Sequence, residues 1–354
     1  MKIWQLVDGR LLGGIERHVA TLVTALLQRG YEAEAVLWRD YADSPWREQL
    51  AASGVPFRYL GGSAASLVSA LARSRPALVH THGYKANLIG RLVARLMGIP
   101  VVSSFHSGER SVFPVSAYVG ADMALSFLAP RIAISEEIAR RLPWPAQVVR
   151  NFLIVPERAP AGPLPNRVGF VGRLSHEKGP DLFCEIAALS PPDIAFDIWG
   201  DGPMRRELEA RYADRVTFHG LTLDVTEAFG SIGLLLMPSR AEGLPMAALE
   251  ALAAGVPVSA SRVGGLPDLI THGESGWLFD AGDVGAASRH VTAWRGLGAG
   301  AANTIRAQCH AIVRERFSDH AVLPEILAVY ARAGLTAGRT TTTAASRGAS
   351  ASLN

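Results

Sequence analysis

The sequence predicts an α/β protein of two doubly wound, parallel-sheet domains facing each other across a cleft. Short apolar runs of strand length alternate with amphipathic helical stripes along the chain. Near the middle, Pro156, Pro160, Pro163 and Pro165 interrupt that rhythm, and four prolines so close together exclude helix and central strand. Beyond them the alternation restarts, and 354 residues are enough for two separate cores.

In the first half, strands are expected at 3–7, 33–37, 55–59, 77–79, 101–105, 131–134 and 148–149. Gly13-Gly14 forms the first turn, followed by a stripe of Ile15, Val19, Leu22, Val23, Leu26 and Leu27 that stops at Gly30. A second helix runs from Ala86 to Met97 and ends at Gly98. In the second half, strands are expected at 168–171, 196–199, 216–218, 232–237 and 256–260, with helices at 181–189, 204–212 and 245–254. The domains therefore span 1–155 and 167–335, joined by a linker at 156–166. The last helix is a candidate to pack back on the first domain. Residues 336–354, rich in Thr, Ser, Ala and Gly, read as a disordered tail.

Composition narrows the function. Cys184 and Cys309 are the two cysteines and neither sits in a CxxC, which points to a reducing compartment. The apolar start is too short for a signal peptide, and no run approaches a membrane span. The expected location is the cytoplasm, with the inner face of the plasma membrane as a peripheral site. Residues 1–155 carry 17 Lys+Arg against 11 Asp+Glu, whereas the rest carries 18 against 21. The basic half also holds an uncharged run, 111–121, with Val112, Phe113, Val115, Tyr118 and Val119. That run reads either as a buried helix or as an apolar patch suited to an anionic membrane surface. Nucleic acid is not an expected partner, since no basic cluster is interleaved with aromatics.

The segment Ser239-Arg240-Ala241-Glu242-Gly243-Leu244-Pro245 joins an apolar strand to a buried helix, placing the Gly243 and Leu244 amides near the positive end of the helix dipole. A carboxylate repels phosphate, so Glu242 and Glu250, two turns further on, suit the hydroxyls of a ligand. The competing reading is a helix start that carries a favourable acid. In Val168-Gly169-Phe170-Val171-Gly172-Arg173, a strand delivers Arg173 at its end, and Lys178 follows one loop later. Two cations at a cleft can hold a diphosphate and stabilise it as it departs; a charged surface loop is the alternative. Gly13 and Gly14 let backbone approach a ligand. His106 stands beyond the strand 101–105, whereas His80 reads as structural. With no Asp-x-Asp and no cluster at metal-ligand spacing, neither a metal nor another cofactor is expected.

With these residues in view, the chain resembles the retaining glycosyltransferases of the GT-B fold, family 4 (glycosyl transferases group 1). The likeness runs through Gly13-Gly14-Ile15-Glu16-Arg17-His18, His80-Thr81-His82-Gly83-Tyr84-Lys85-Ala86-Asn87, Phe105-His106 and Ile134-Ser135. It continues through Phe170 to Leu174, Glu177-Lys178-Gly179, Trp199-Gly200-Asp201-Gly202-Pro203, the Glu242/Glu250 pair and Gly264-Gly265-Leu266-Pro267-Asp268. The resemblance implies a nucleotide-sugar donor held by the second Rossmann-like domain and a glycan or lipid-linked acceptor on the first. It assigns the diphosphate to Arg173 and Lys178, the donor sugar to Glu242 and ribose to Glu250. Gly243 and Leu244 would face sugar and phosphates, with Gly172 beside them, and Gly14 and His106 would close the site from the first domain. It further implies transfer with retention and without metal, in cell-surface polysaccharide or glycolipid synthesis. The alternatives are a nucleotide-sugar epimerase, a phosphorylase or a non-catalytic nucleotide-sugar-binding subunit. Asn151-Phe152 departs from the family's usual Asn-Gly.

Overall fold

The structure is a computed structural model, and it describes residues 1–9, 13–41, 44–106, 115–158, 162–222 and 225–335. The first sheet contains β1 (Lys2–Val7), β2 (Glu32–Leu37), β3 (Phe57–Tyr59), β4 (Leu78–His82), β5 (Val101–Phe105), β6 (Arg131–Ala133) and β7 (Gln147–Val148), in the order β3-β2-β1-β4-β5-β6-β7. The second contains β8 (Arg167–Val171), β9 (Ala195–Trp199), β10 (Thr217–Gly220), β11 (Leu234–Met237), β12 (Val258–Ser261) and β13 (Gly276–Phe279), in the order β10-β9-β8-β11-β12-β13. Every pairing is parallel. Strand order reverses between β1 and β4 and again between β8 and β11. Loops at those carboxyl ends line a crevice where a ligand can reach backbone amides from both sides.

Alternation along β1 splits the first core in two. Ile3 and Val7 pack with Val19, Leu22, Val23 and Leu26 of helix Gly14–Gln28, while Trp4 and Leu6 face Leu67, Leu71, Val79 and Ala94. The chain returns to the first domain at its end. The Leu153 amide donates to the Phe317 carbonyl (2.9 Å) and the Asp319 amide to the Leu153 carbonyl (2.9 Å). Helix Asp319–Ala333 then buries Val322, Leu323, Ile326, Val329 and Tyr330 in the first domain's core.

Several expectations need correction. The strand expected at 77–79 runs to His82, so His80 lies inside β4 and His82 closes it. The helix expected at 86–97 begins as a π-helix, Ala86–Gly90, before Arg91–Leu96. A Cβ on Gly90 would stand 2.7 Å from a Leu6 methyl, so the widened turn accompanies an unusually close approach to the sheet. Pro245 caps its helix, which starts at Met246. β13 was not expected at all.

The described part of the uncharged run forms helix Val115–Ala124, in which Asp122 is the buried residue and Tyr118 is 47% exposed. That excludes the buried-helix reading for residues 115–121. Val112, Phe113 and the tail from 336 lie outside the described residues.

Candidate active site

Residues from both domains enclose a cleft of about 1880 Å³, lined by Gly13, Gly14, His106 and Asn151 on one side and by Gly172, Arg173, Lys178 and the segment 239–247 on the other.

Arg173 leaves β8 on a segment gripped by backbone. The Gly172 amide donates to the Trp199 carbonyl (3.0 Å) and the Leu174 amide to the Asp201 carbonyl (2.9 Å). Gly200 fits this contact because it has no side chain: at φ 152°, a Cβ would stand 1.8 Å from the Gly172 carbonyl oxygen. Arg173 is exposed, and its side chain makes no hydrogen bond or ion pair among the described residues. Lys178 ends a single 3₁₀ turn, His176–Lys178. The Arg240 and Ala241 amides donate to the Glu177 carbonyl (2.8 and 3.2 Å), and the Arg240 guanidinium clamps Asp181 (2.8 and 2.6 Å). These bonds fasten the Lys178 turn to the loop that carries Glu242.

There Lys178 Nζ donates to Glu242 Oε2 (2.6 Å) and Ser239 Oγ donates to Oε1 (2.8 Å). The Glu242 side chain is 2% exposed. The amides of Gly243 and Leu244 donate to no acceptor among the described residues, which leaves two N–H groups at the mouth of helix Met246–Ala253. Gly264 supports this loop from behind at φ 55°, and a Cβ there would lie 2.1 Å from the Glu242 carbonyl oxygen. Gly264→Ala is expected to cost at least about 1–3 kcal/mol and to shift the Glu242 loop. Chemical denaturation checks it; unchanged stability would mean the loop yields freely.

Glu250 faces the first domain, where Arg17 Nη1 donates to its Oε2 (2.8 Å). Burial raises the Glu250 carboxyl above the usual range, and Arg17 opposes that shift. Asn151 makes another cross-domain bond, from its side-chain amide to the Leu244 carbonyl (2.8 Å). Phe152 does not reach the cleft. It is fully buried and stands edge-on to His18, with ring centroids 5.9 Å apart.

Across the cleft, a Cβ on Gly13 would meet a Glu16 carboxylate oxygen at 3.0 Å, so its missing side chain makes room for protein rather than ligand. Gly14 opens onto the cleft beside Met246. The His106 carbonyl would sit 3.1 Å from a Cβ on Gly243, so the two domains close tightly at that point. Burial, followed by neighbouring histidines, pushes His106 well below the ordinary histidine range. It is therefore neutral at pH 7 and can bond a hydroxyl without adding charge.

Two family models match the chain. Residues 12–153 match Glycosyltransferase Family 4, and residues 165–294 match Glycosyl transferases group 1. The chain belongs to this family. Among its relatives, a 2-deoxystreptamine N-acetyl-D-glucosaminyltransferase of Streptomyces fradiae is 32% identical over 262 residues, covering 61% of this chain and 62% of that one. A UDP-Gal:alpha-D-GlcNAc-diphosphoundecaprenol alpha-1,3-galactosyltransferase of Escherichia coli is 27% identical, covering 62% and 66%. The chain spans between about half and two thirds of the length of the first curated relatives it matches. Of solved structures, Anabaena Alr3699/HepE in complex with UDP-glucose superposes with a TM-score of 0.79 at 19% identity, covering 94% of this chain and all of that one. This member of the family thus has the GT-B fold.

Sequence reasoning missed Arg17 and Asn151 as cleft residues. Each acts on a partner in the other domain, a relation that no local spacing encodes.

Proposed function

We propose that this chain transfers a sugar, with retention of configuration, from a nucleoside-diphosphate sugar to a hydroxyl of a glycan or lipid-linked acceptor. The observation that carries this reading is the convergence of Arg173, Lys178 and the free Gly243 and Leu244 amides on one cleft wall, opposite Gly14 and neutral His106. The diphosphate would rest on that wall, where two cations and a helix N-terminus do the work of a chelated ion.

Lys178 has three N–H donors and spends one on Glu242, so it can bridge that carboxylate to a phosphate oxygen. Glu242 is then free to accept from sugar hydroxyls, and Glu250 from ribose, sharing its carboxylate with Arg17. As the glycosidic bond breaks, charge grows on the departing phosphate, and the cations hold that oxygen. The same oxygen then takes the proton of the attacking hydroxyl on the same face. No carboxylate has to act as nucleophile in this scheme.

The relatives support the substrate class. The Escherichia coli enzyme is named for UDP-Gal and a diphosphoundecaprenol acceptor, and a Rhizobium meliloti relative for lipopolysaccharide core mannosyl transfer. A melting screen of nucleotide sugars and nucleoside diphosphates tests the proposal. A donor at 100 times its Kd stabilises by about 2.7 kcal/mol. No shift with any of them at millimolar concentration would overturn it.

The acceptor side suits an anionic lipid surface, in keeping with a cytoplasmic enzyme on the inner face of the plasma membrane. No helix among the described residues is long and apolar enough to cross a membrane. Tyr84 and Tyr118 are exposed with ring centroids 6.4 Å apart, and Phe127 and Trp144 are exposed at 5.6 Å, beside exposed Arg140 and Arg141. Flotation with anionic vesicles at low salt is expected to carry the protein upward, and Tyr118→Ser with Trp144→Ser to weaken it. Equal recovery with neutral vesicles would refute the surface.

A further inference from the structure

His18, His82 and His106 come from helix Gly14–Gln28, the end of β4 and the residue after β5, and their rings converge. Centroids lie 5.0 Å apart for His18–His106, 5.2 Å for His82–His106 and 5.7 Å for His18–His82. One ring nitrogen from each lies within 4.8 Å of the other two. We propose that these three histidines form a binding site for one borderline divalent cation of the Zn²⁺ class, with its fourth position open to the cleft.

The hydrogen bonds favour this occupant. Gln5 donates through its amide nitrogen to the Tyr330 hydroxyl (3.1 Å), so its Oε1 accepts from His82 Nε2–H (2.8 Å). His82 Nδ1 therefore accepts from His106 Nε2–H (3.0 Å), a proton that a bound cation would displace to His106 Nδ1. Two imidazole nitrogens on a tetrahedral Zn²⁺ at about 2.05 Å stand about 3.3 Å apart, so a small opening of this pair admits an ion between them.

The Gln5 carbonyl is the kind of outer partner that fixes a ligating histidine's tautomer. Behind it, Tyr330 meets His80 Nδ1 (2.8 Å), and His80 Nε2 meets Ser104 Oγ (2.7 Å), so the support is continuous. His18 supplies the independent sign. It is 3% exposed, yet its Nδ1 is buried with no hydrogen-bond partner among the described residues. An orphaned imidazole nitrogen in a dry pocket costs free energy unless something binds it. Burial also keeps all three rings neutral at pH 7, which is the protonation state a cation needs.

Three neutral ligands leave the ion's charge uncompensated. His106 borders the cleft, so the fourth ligand is water, hydroxide or an anion entering from there. The sequence gives no sign of the site because its ligands lie on three separate elements. The centre lies across the cleft from the donor's diphosphate wall and shares His106 with the proposed transfer site, while the cation titration reads it without any transfer reaction.

The test is titration of chelator-stripped, untagged full chain with Co²⁺. One ion per chain should bind, with the strong visible absorption of four-coordinate Co²⁺, and Zn²⁺ should displace it. His18→Ala and His106→Ala should each abolish that absorption; His106, at the cleft edge, provides the second variant if His18→Ala fails to fold. Gln5→Met should weaken binding by about 10–100-fold. His320→Ala, in an exposed side chain, should leave it intact. Absence of the four-coordinate spectrum, or a spectrum unchanged in both His18→Ala and His106→Ala, overturns the proposal.

Discussion

Lys178→Ala is expected to lower transfer by about 10²-fold or more, chiefly in kcat, the scale of one lost charge-stabilising donor at a developing anion. The substitution acts twice. It removes a cation from the leaving diphosphate, and it strips the 2%-exposed Glu242 side chain of its ion-pair partner at 2.6 Å. The double variant Lys178→Ala/Glu242→Gln separates these effects, because it removes the orphaned carboxylate while leaving the cation absent. Arg173→Ala, whose side chain makes no hydrogen bond or ion pair among the described residues, should show the first effect alone. Steady-state kinetics at saturating donor read the loss. Full turnover in Lys178→Ala would remove the lysine from the phosphate wall.

Asp122→Ala is expected to destabilise the protein by about 3–5 kcal/mol, the cost of stranding a buried charge. Arg91 is fully buried and donates to Asp122 Oδ1 (2.6 Å), to the Asp122 carbonyl (2.9 Å) and to Ser103 Oγ (3.1 Å). Asn87 donates to Asp122 Oδ2 (3.2 Å). This pair is the buried anchor of helix Val115–Ala124, whose other residues are exposed or half-buried. Arg91→Met/Asp122→Leu should recover most of the loss, because well-packed apolar residues can replace a buried pair at little net cost. Urea unfolding of both variants beside the unsubstituted protein decides it. A loss under about 1 kcal/mol in Asp122→Ala would mean that water reaches Arg91.

The two-domain architecture was legible because buried parallel strands read as apolar runs and glycine or proline ends most of the helices. β13 escaped because Gly276-Trp277-Leu278-Phe279 is four residues long and follows a polar turn, without alternation to mark it. Helix Ala299–Arg316 escaped because its alanines and glycines blur the apolar stripe, and helix Asp319–Ala333 carries Pro324 inside it. The sequence does offer a last helix packed back on the first domain, but it does not mark where that helix begins and ends. Strand ends shifted where a neighbour extended the ladder, as at His82, paired with Ser104 and Val7.

At the site, Arg173, Lys178 and Glu242 stood out because each follows a strand end or enters a helix mouth that sequence alone marks, and Glu250 because it lies on the helix that Glu242 precedes. The Arg17–Glu250 and Asn151–Leu244 contacts did not, nor did the meeting of His18, His82 and His106. Those relations exist only once separate elements close on one another.

Retention is the central chemical claim, and the configuration of the first sugar released tests it most directly. The enzyme is incubated with whichever α-configured nucleotide sugar raises its melting temperature most, and proton NMR follows slow transfer to water before the anomers equilibrate. Front-face departure and attack predict that the α-sugar appears first. Initial release of the β-sugar would contradict the account.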